Sequence, residues 1–346
     1  MLNTKRNDVF NGNDVVNSND LRKRIVNVDT RFRSTLTESS TNCNYRFEHP
    51  YKNVIRLRVA SVEIPNMWYT FSAKNYYNTY FHVCAFDVSN NPIQEKIQID
   101  DGNYTAVDLL TAIQQRFNTQ LRDKHGIYMS IFPDPYAVKT IIIHNGVGPR
   151  NGSGVTGTAR PFILNFKVPE LCLQPFDFGL GFNLGYTENT YDVANVYDVS
   201  GAITRYFLKS ESCIDVIGDM YALLCINDFH SVEQKTGTNY YQCLAKIIIR
   251  EDKNSVIYDD GSTLLSNDII FPSPVDLDKI HVRLTDPYGN TLDLNKMNFS
   301  FSLEITEVMN TRMYEFYRNY IWLGNIPSLP LNVTGSGQGL LGGKGP

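Results

Sequence analysis

The stretch from about residue 25 to 326 predicts a mainly β fold: an antiparallel jelly-roll β-sandwich with one inserted helix and an extended arm at each end. Three observations carry this. Apolar and polar residues alternate with period two along most of the chain, and Gly, Pro and Asn punctuate the short apolar runs. Only one segment shows clear helical spacing. With 346 residues, 42% hydrophobic and 20% charged, the chain can bury a sizeable core.

Residues 1–24 differ in kind. Six of the first twenty are Asn, apolar periodicity is missing, and the stretch closes on Leu21-Arg22-Lys23-Arg24. Such a segment buries too little apolar surface to offset the entropy of ordering, so it reads as an arm that orders on a partner. The body, 25–326, begins with strands. Ile55, Leu57 and Val59 alternate with Arg56 and Arg58, and then Val62 and Ile64 continue in the opposite phase. That flip predicts a β-bulge near Ala60-Ser61.

Thr105-Ala106-Val107-Asp108 forms a capping box, followed at helical spacing by Leu109, Leu110, Ile113, Phe117 and Leu121. Continuous runs at Ile141-Ile142-Ile143, Tyr221 to Ile226 and Lys246 to Ile249 read as strands buried on both faces. Ile280, Val282 and Leu284 alternate into Asp286-Pro287-Tyr288-Gly289-Asn290, a turn that returns the chain through Leu292 and Leu294. Phe299, Phe301, Leu303 and Ile305 alternate with polar residues as a half-buried strand. A second helix is expected from Asn310 to Tyr320. The Gly-rich tail 327–346 mirrors the N-terminal arm.

Composition narrows the functions. The net charge of −4, with both signs interspersed, leaves no basic stripe for nucleic acid. No run of about 18 apolar residues suggests a membrane span, and the polar N-terminus does not read as a signal peptide. The cysteines (Cys43, Cys84, Cys172, Cys213, Cys225, Cys243) are scattered without a Cys-x-x-Cys pair and are expected to be reduced. Twenty-one Tyr and nineteen Phe against two Trp suit both a β-core and protein contact surfaces.

Chemistry finds no foothold. The loop Gly146 to Gly154 follows a strand but leads into no helix, so the dipole of a phosphate cradle is missing. Gly342-Gly343-Lys344 lacks the spacing and the Ser/Thr of a P-loop. The six histidines are isolated, and no nucleophile elbow exists. Asp100-Asp101 and Asp259-Asp260 sit beside Gly in turns, where neighbouring side chains diverge. No catalytic, cofactor or metal residues are assigned, and an enzyme is not expected.

Four segments carry a resemblance: Ile25 to Arg33 (IVNVDTRFR), Val59 to Tyr69 (VASVEIPNMWY), Ile97 to Phe117 (IQIDDGNYTAVDLLTAIQQRF) and Phe301 to Val308 (FSLEITEV). In order and spacing they resemble the jelly-roll minor capsid and vertex (penton) proteins of large nucleocytoplasmic double-stranded DNA viruses. The resemblance implies a structural protein of the virion, assembled in host cytoplasm. Its expected partners are the major capsid protein, other minor capsid proteins and its own copies. Direct nucleic-acid contact is not expected, and membrane contact would be indirect, through an inner virion layer.

The major shell proteins of that group carry two jelly rolls, which would be tight in a body of this size. A minor component bridging capsomers is therefore preferred, with the five-fold vertex protein as the alternative. Asp29, Arg31, Phe32, Arg33, Trp68, Tyr69 and Trp322 are the candidate assembly residues, because cation–aromatic clusters anchor interfaces. A reading of another class is a carbohydrate-binding β-sandwich on a virion surface. It calls for a groove lined by Trp68, Tyr69 and nearby Asp or Asn.

Overall fold

A computed structural model describes residues 21–150, 152, 154–168, 179–194, 196–198, 204–229, 232–236, 239–261, 266, 268–312 and 314. The fold is mainly β, with antiparallel sheets and one main helix, as the sequence predicts. Residues 21–24, expected to belong to the N-terminal arm, are instead the start of a strand paired with residues 305–308, while residues 1–20, the C-terminal arm, Cys172, Trp322 and most of the expected second helix lie outside the described residues. Of that helix, Thr311, Arg312 and Tyr314 are helical, and the Tyr314 amide donates to Asn310 O.

The largest sheet has seven strands. Its order is β1 (Leu21–Asp29), β17 (Ser300–Val308), β2 (Asn42–Pro65), β16 (Ile269–Thr285), β11 (Tyr221–Ile226) and β14 (Ala245–Ile248). The seventh strand, β15 (Val256–Asp259), pairs with the last residues of β2. β2 is 24 residues long and forms the beam of this sheet. A second sheet runs β4 (Pro92–Gln98), β3 (Tyr80–Phe86), β7 (Phe162–Asn165) and β8 (Thr190–Val193). A third runs β5 (Ile127–Pro133), β6 (Thr140–Val147), β10 (Thr204–Lys209) and β9 (Val196–Asp198). β12 (Val232–Thr236) and β13 (Asn239–Cys243) form a separate hairpin.

The phase flip in β2 is a bulge. Ser302 lies opposite Ser61 and Leu303 opposite Val59, so Ala60 has no partner on β17. The extra residue lets Leu57 and Val59 on one side of it, and Val62 and Ile64 on the other, all reach the same core. The helix α1 (Ala106–Arg116) starts where its cap predicts, with the Thr105 hydroxyl accepting from the Asp108 amide. It runs on through a π-helical turn, Phe117–Arg122, that buries Phe117 and Leu121. Gly126 ends the helical stretch with φ +69°, and a Cβ there would lie 2.1 Å from Gly148 O, so only glycine fits.

Two runs differ from their sequence reading. Tyr221 to Ile226 is buried on both faces, but in Ile141-Ile142-Ile143 and Lys246 to Ile249 only Ile142 and Ile247 are fully covered. Lys246 to Ile249 lies in and just beyond β14, the last strand on its sheet's path, and β6 has a core on one face only. After the Asp286 to Asn290 turn the chain returns without a second full strand. One bridge, Thr285 to Thr291, and the buried Leu292 and Leu294 mark the return.

Most buried side chains of the described residues fall into two large clusters, with a small third of Leu223, Cys225 and Cys243 on β11 and β13. The first lies on the seven-stranded sheet and draws on residues from Val26 to Trp68 and from Ala222 to Ile305. The second collects Phe71 to Val193 from the two four-stranded sheets and α1. The chain thus leaves the first core after β2, builds the second, and returns to the first at β11.

Candidate functional site

Two places gather the residues that sequence reading singles out: the junction after β1 and a cleft where the two cores meet.

At the junction, Asp29 ends β1 and its carboxylate accepts from the Arg31 amide at 2.9 Å and from Arg31 Nε at 2.8 Å. The Arg31 side chain holds the Asp29 carboxyl below its ordinary range. Thr30 is fully buried, and its hydroxyl donates to Phe299 O and accepts from the Phe299 amide, each at 2.9 Å. Arg33 Nη1 donates to Asn298 Oδ1 and Thr30 O, Nε to Glu38 O and Nη2 to Leu36 O. Asp29, Arg31 and Arg33 therefore brace the turn within the chain. Phe32 projects instead, 70% exposed, with the Arg31 guanidinium 5.9 Å from its ring centre and Leu36 also exposed nearby in the chain.

The cleft is built by the segment after β2. Trp68 sits in the first core and Phe71, three residues on, in the second, so this short stretch bridges both. It is tied down at each step. The Phe71 amide and carbonyl pair with those of Gly102, and the Thr70 amide donates to Asn103 Oδ1 at 2.8 Å. Asn78 Nδ2 donates to Thr70 O and to Asn183 Oδ1, and Asn183 Nδ2 donates to Asp215 O. That relay of side-chain amides forms the floor. Gly218 takes φ +77°, and a Cβ there would lie 2.9 Å from Thr70 Cγ2, so glycine lets the following residue, Asp219, close over the floor.

The cleft holds about 230 Å³ and is lined by Trp68, Tyr69, Thr70, Tyr76, Asn78, Phe182, Asn183, Asp215, Asp219 and Tyr288, with Gly179 and Gly218. Its electrostatics are acidic. Burial, with Asp286 as a further like charge, pushes the Asp219 carboxyl up to about 7. Burial also raises Asp286, which accepts from the amides of Tyr288 and Asn290 and is hydrogen-bonded to Tyr76. Lys253 is lowered by burial to about 8 despite Asp219 nearby. Its ammonium donates to Trp68 O at 3.1 Å and stands 4.4 Å from the Trp68 ring centre.

Of the sequence candidates, Trp68 and Tyr69 meet in this cleft, but only Tyr69 is well exposed, at 41% against 4% for Trp68. Asp29, Arg31, Phe32 and Arg33 form the other site, and Trp322 lies outside the described residues. Sequence reading missed Asp219, Lys253 and Asp286. Asp286 reads as a turn former, which it is, and nothing local announces that its turn abuts Tyr76, some 210 residues earlier. Among the described residues no group of three or more His, Cys, Asp or Glu could hold a metal ion, and no helix is long and apolar enough to cross a membrane. Cys43, Cys225 and Cys243 are buried free thiols, with Cys43 pushed up to about 11 and Cys243 to about 12 by burial, whereas Cys213 is exposed.

No protein-family model matches the chain. No curated protein matches it either. Among solved structures, the cryo-electron-microscopy structure of the Sputnik virophage aligns over 82% of this chain and 98% of the matched chain, with 14% sequence identity and a TM-score of 0.37. A superposition this loose carries no argument about function, which rests on the residues themselves.

Proposed function

We propose that this protein is a structural component of an icosahedral DNA virus capsid, a minor capsid protein that bridges and stabilises major capsid capsomers, rather than an enzyme. One observation carries most weight. Three of the four segments that resemble minor capsid and vertex proteins, separated by up to 270 residues, belong to the adjacent strands β1, β17 and β2. The fourth runs from the last two residues of β4 through the capped turn into α1, in the second core. Three of the four segments thus share one framework of adjacent strands.

The Phe32 junction supports the same reading. A bulky apolar ring held out on a turn with internally satisfied hydrogen bonds suits an anchor for a neighbouring subunit. A bridging position under the shell is preferred to the five-fold vertex because arms at both ends let a small body engage several neighbours at once.

Removing residues 1–20 and 327–346 keeps β1 whole and is expected to leave the melting temperature unchanged while abolishing incorporation into particles. Phe32→Ala is expected to lower incorporation severalfold, again without loss of stability. Truncated protein entering particles as well as the intact chain would refute the reading.

The carbohydrate alternative gains the groove it calls for, lined by Trp68, Tyr69, Asn78, Asn183 and Asp215. It loses the stacking face. Trp68 is buried and Lys253 lies over its ring, which leaves Tyr69 as the exposed member of the pair.

A further inference from the structure

We propose that Cys225 and Cys243 form a redox staple: hydrogen peroxide reaching Cys225 through a side cavity converts the pair into a disulfide that ties the β12–β13 hairpin to the large sheet. The staple is a property of the single chain and does not depend on the capsid reading.

The local register brings the two thiols face to face. Leu224 on β11 pairs with Ala245 on β14, and its carbonyl accepts from the Leu244 amide at 2.8 Å. Two residues thus face one, and all three side chains belong to the first core. This is a β-bulge, and it shifts the register by one residue. Without it Cys243 would face Ile226, on the first-core side of β11. With it Cys243 faces Cys225, and the two pack with Leu223 on the other side of the strand. Leu224 directs its carbonyl towards β13 and β14, so Cys225, the next residue, directs its own towards β16. Cys225 and Cys243 are therefore a non-hydrogen-bonded pair, the kind in which Cα atoms approach to about 4.5 Å. A disulfide needs a Cα separation of roughly 4.4–6.8 Å.

Cys225 also lines a cavity of about 220 Å³, together with Arg283, Thr285, Gln242 and Asp228. Arg283 lies directly opposite Cys225 on β16. Burial raises the Cys225 thiol, while the Arg283 charge and hydrogen bonds from Thr285 and Arg283 pull it back down. Cys243 is fully buried and has no such cation beside the cavity; burial, with Cys225 as a further cause, pushes it up to about 12. Cys225 is thus the thiol that meets the oxidant, and Cys243 the one that follows. The Cys225 thiolate attacks one peroxide oxygen, the O–O bond breaks, and the departing hydroxide takes up the thiol's proton. A sulfenic acid and one water result. The Cys243 sulfur then attacks the sulfenic sulfur, the S–S bond forms and the S–O bond breaks. Hydroxide leaves with the Cys243 proton as a second water, so two thiols are oxidised and one peroxide is reduced.

The test exposes the folded full chain to hydrogen peroxide, unfolds it in iodoacetamide and maps its peptides without reduction. A linked pair of peptides joining Cys225 to Cys243 is expected, with the chain lighter by two hydrogens. The oxidised chain is expected to melt several degrees higher, an increase that dithiothreitol reverses. Cys243→Ala is expected to halt at a sulfenic acid on Cys225 that dimedone traps, and Arg283→Gln to slow the cross-link about fivefold. Since burial keeps both thiols protonated, the rate is expected to climb with pH.

Exposed Cys213 supplies the internal reference. If peroxide consumes Cys213 while Cys225 and Cys243 stay free, or if their bond appears only in urea, the inference is overturned. A disulfide from either residue to a different cysteine overturns it as well, as does oxidation of Cys225 to the sulfinic acid with Cys243 untouched.

Discussion

His144 is fully buried on β6, 6.2 Å from the Phe162 ring centre, and its Nε2 has no hydrogen-bond partner. Burial, and Arg160 nearby, lower it from 6.5 to about 4. The unfolded chain therefore takes up a proton before the folded one does. This group's stability contribution is intact above about pH 6.5, declines as pH falls, and is fully lost below about pH 4, a difference of roughly 3 kcal/mol at most. His144→Leu is expected to flatten the acid limb of a chemical-denaturation profile between those values. Asp219 works with the opposite sign. Its carboxyl is raised, so stability is fully present below about pH 4 and falls as pH rises towards 7. Asp219→Asn is expected to raise the melting temperature at pH 8 and change it little at pH 4.

At the scale of elements, period and punctuation reveal much. The Ala60 bulge, the Thr105 cap and the alternating β17 were legible because each is a local pattern: a phase, a hydroxyl three residues before an acid, a run of every-other apolar residues. Deleting Ala60 would remove the extra residue, leaving Val59, Ser61 and Val62 in unbroken alternation opposite Leu303, Ser302 and Phe301, so Val62 and Ile64 keep facing the core. That variant is expected to keep cooperative thermal unfolding, whereas Val62→Asp, which places a charge in the core, is expected to abolish soluble yield. What was not legible was burial on the second face. An apolar triplet looks the same in a doubly covered strand such as β11 as in β6, and only the neighbouring layers decide. The cleft was half legible. Trp68 and Tyr69 stand out as an aromatic pair, whereas Asp219, Lys253 and Asp286 become a site only because three distant loops converge.

For the molecule as a whole, β2 is decisive. Its partners β15, β16 and β17 all lie beyond residue 255, and those pairings close around the second core. Strand order of this kind depends on contacts between residues some 200 apart, which no local window can report. The division of core residues follows the same connectivity: the second core is continuous in sequence and the first is not.

That connectivity imposes a schedule on synthesis. Ribosomes add about 5–20 residues each second. From the end of β2 at Pro65 to the start of β16 at Ile269, the finished beam must then wait on the order of 10–40 s for its partner. During that interval both of its margins offer unpaired amides to any other nascent strand. The second core can close in the meantime, so newly made chains would pass through a state with one half built and the other exposed. Chains growing on neighbouring ribosomes would meet one another's unpaired margins in those seconds, so a chaperone that covers exposed strands is expected to raise soluble yield.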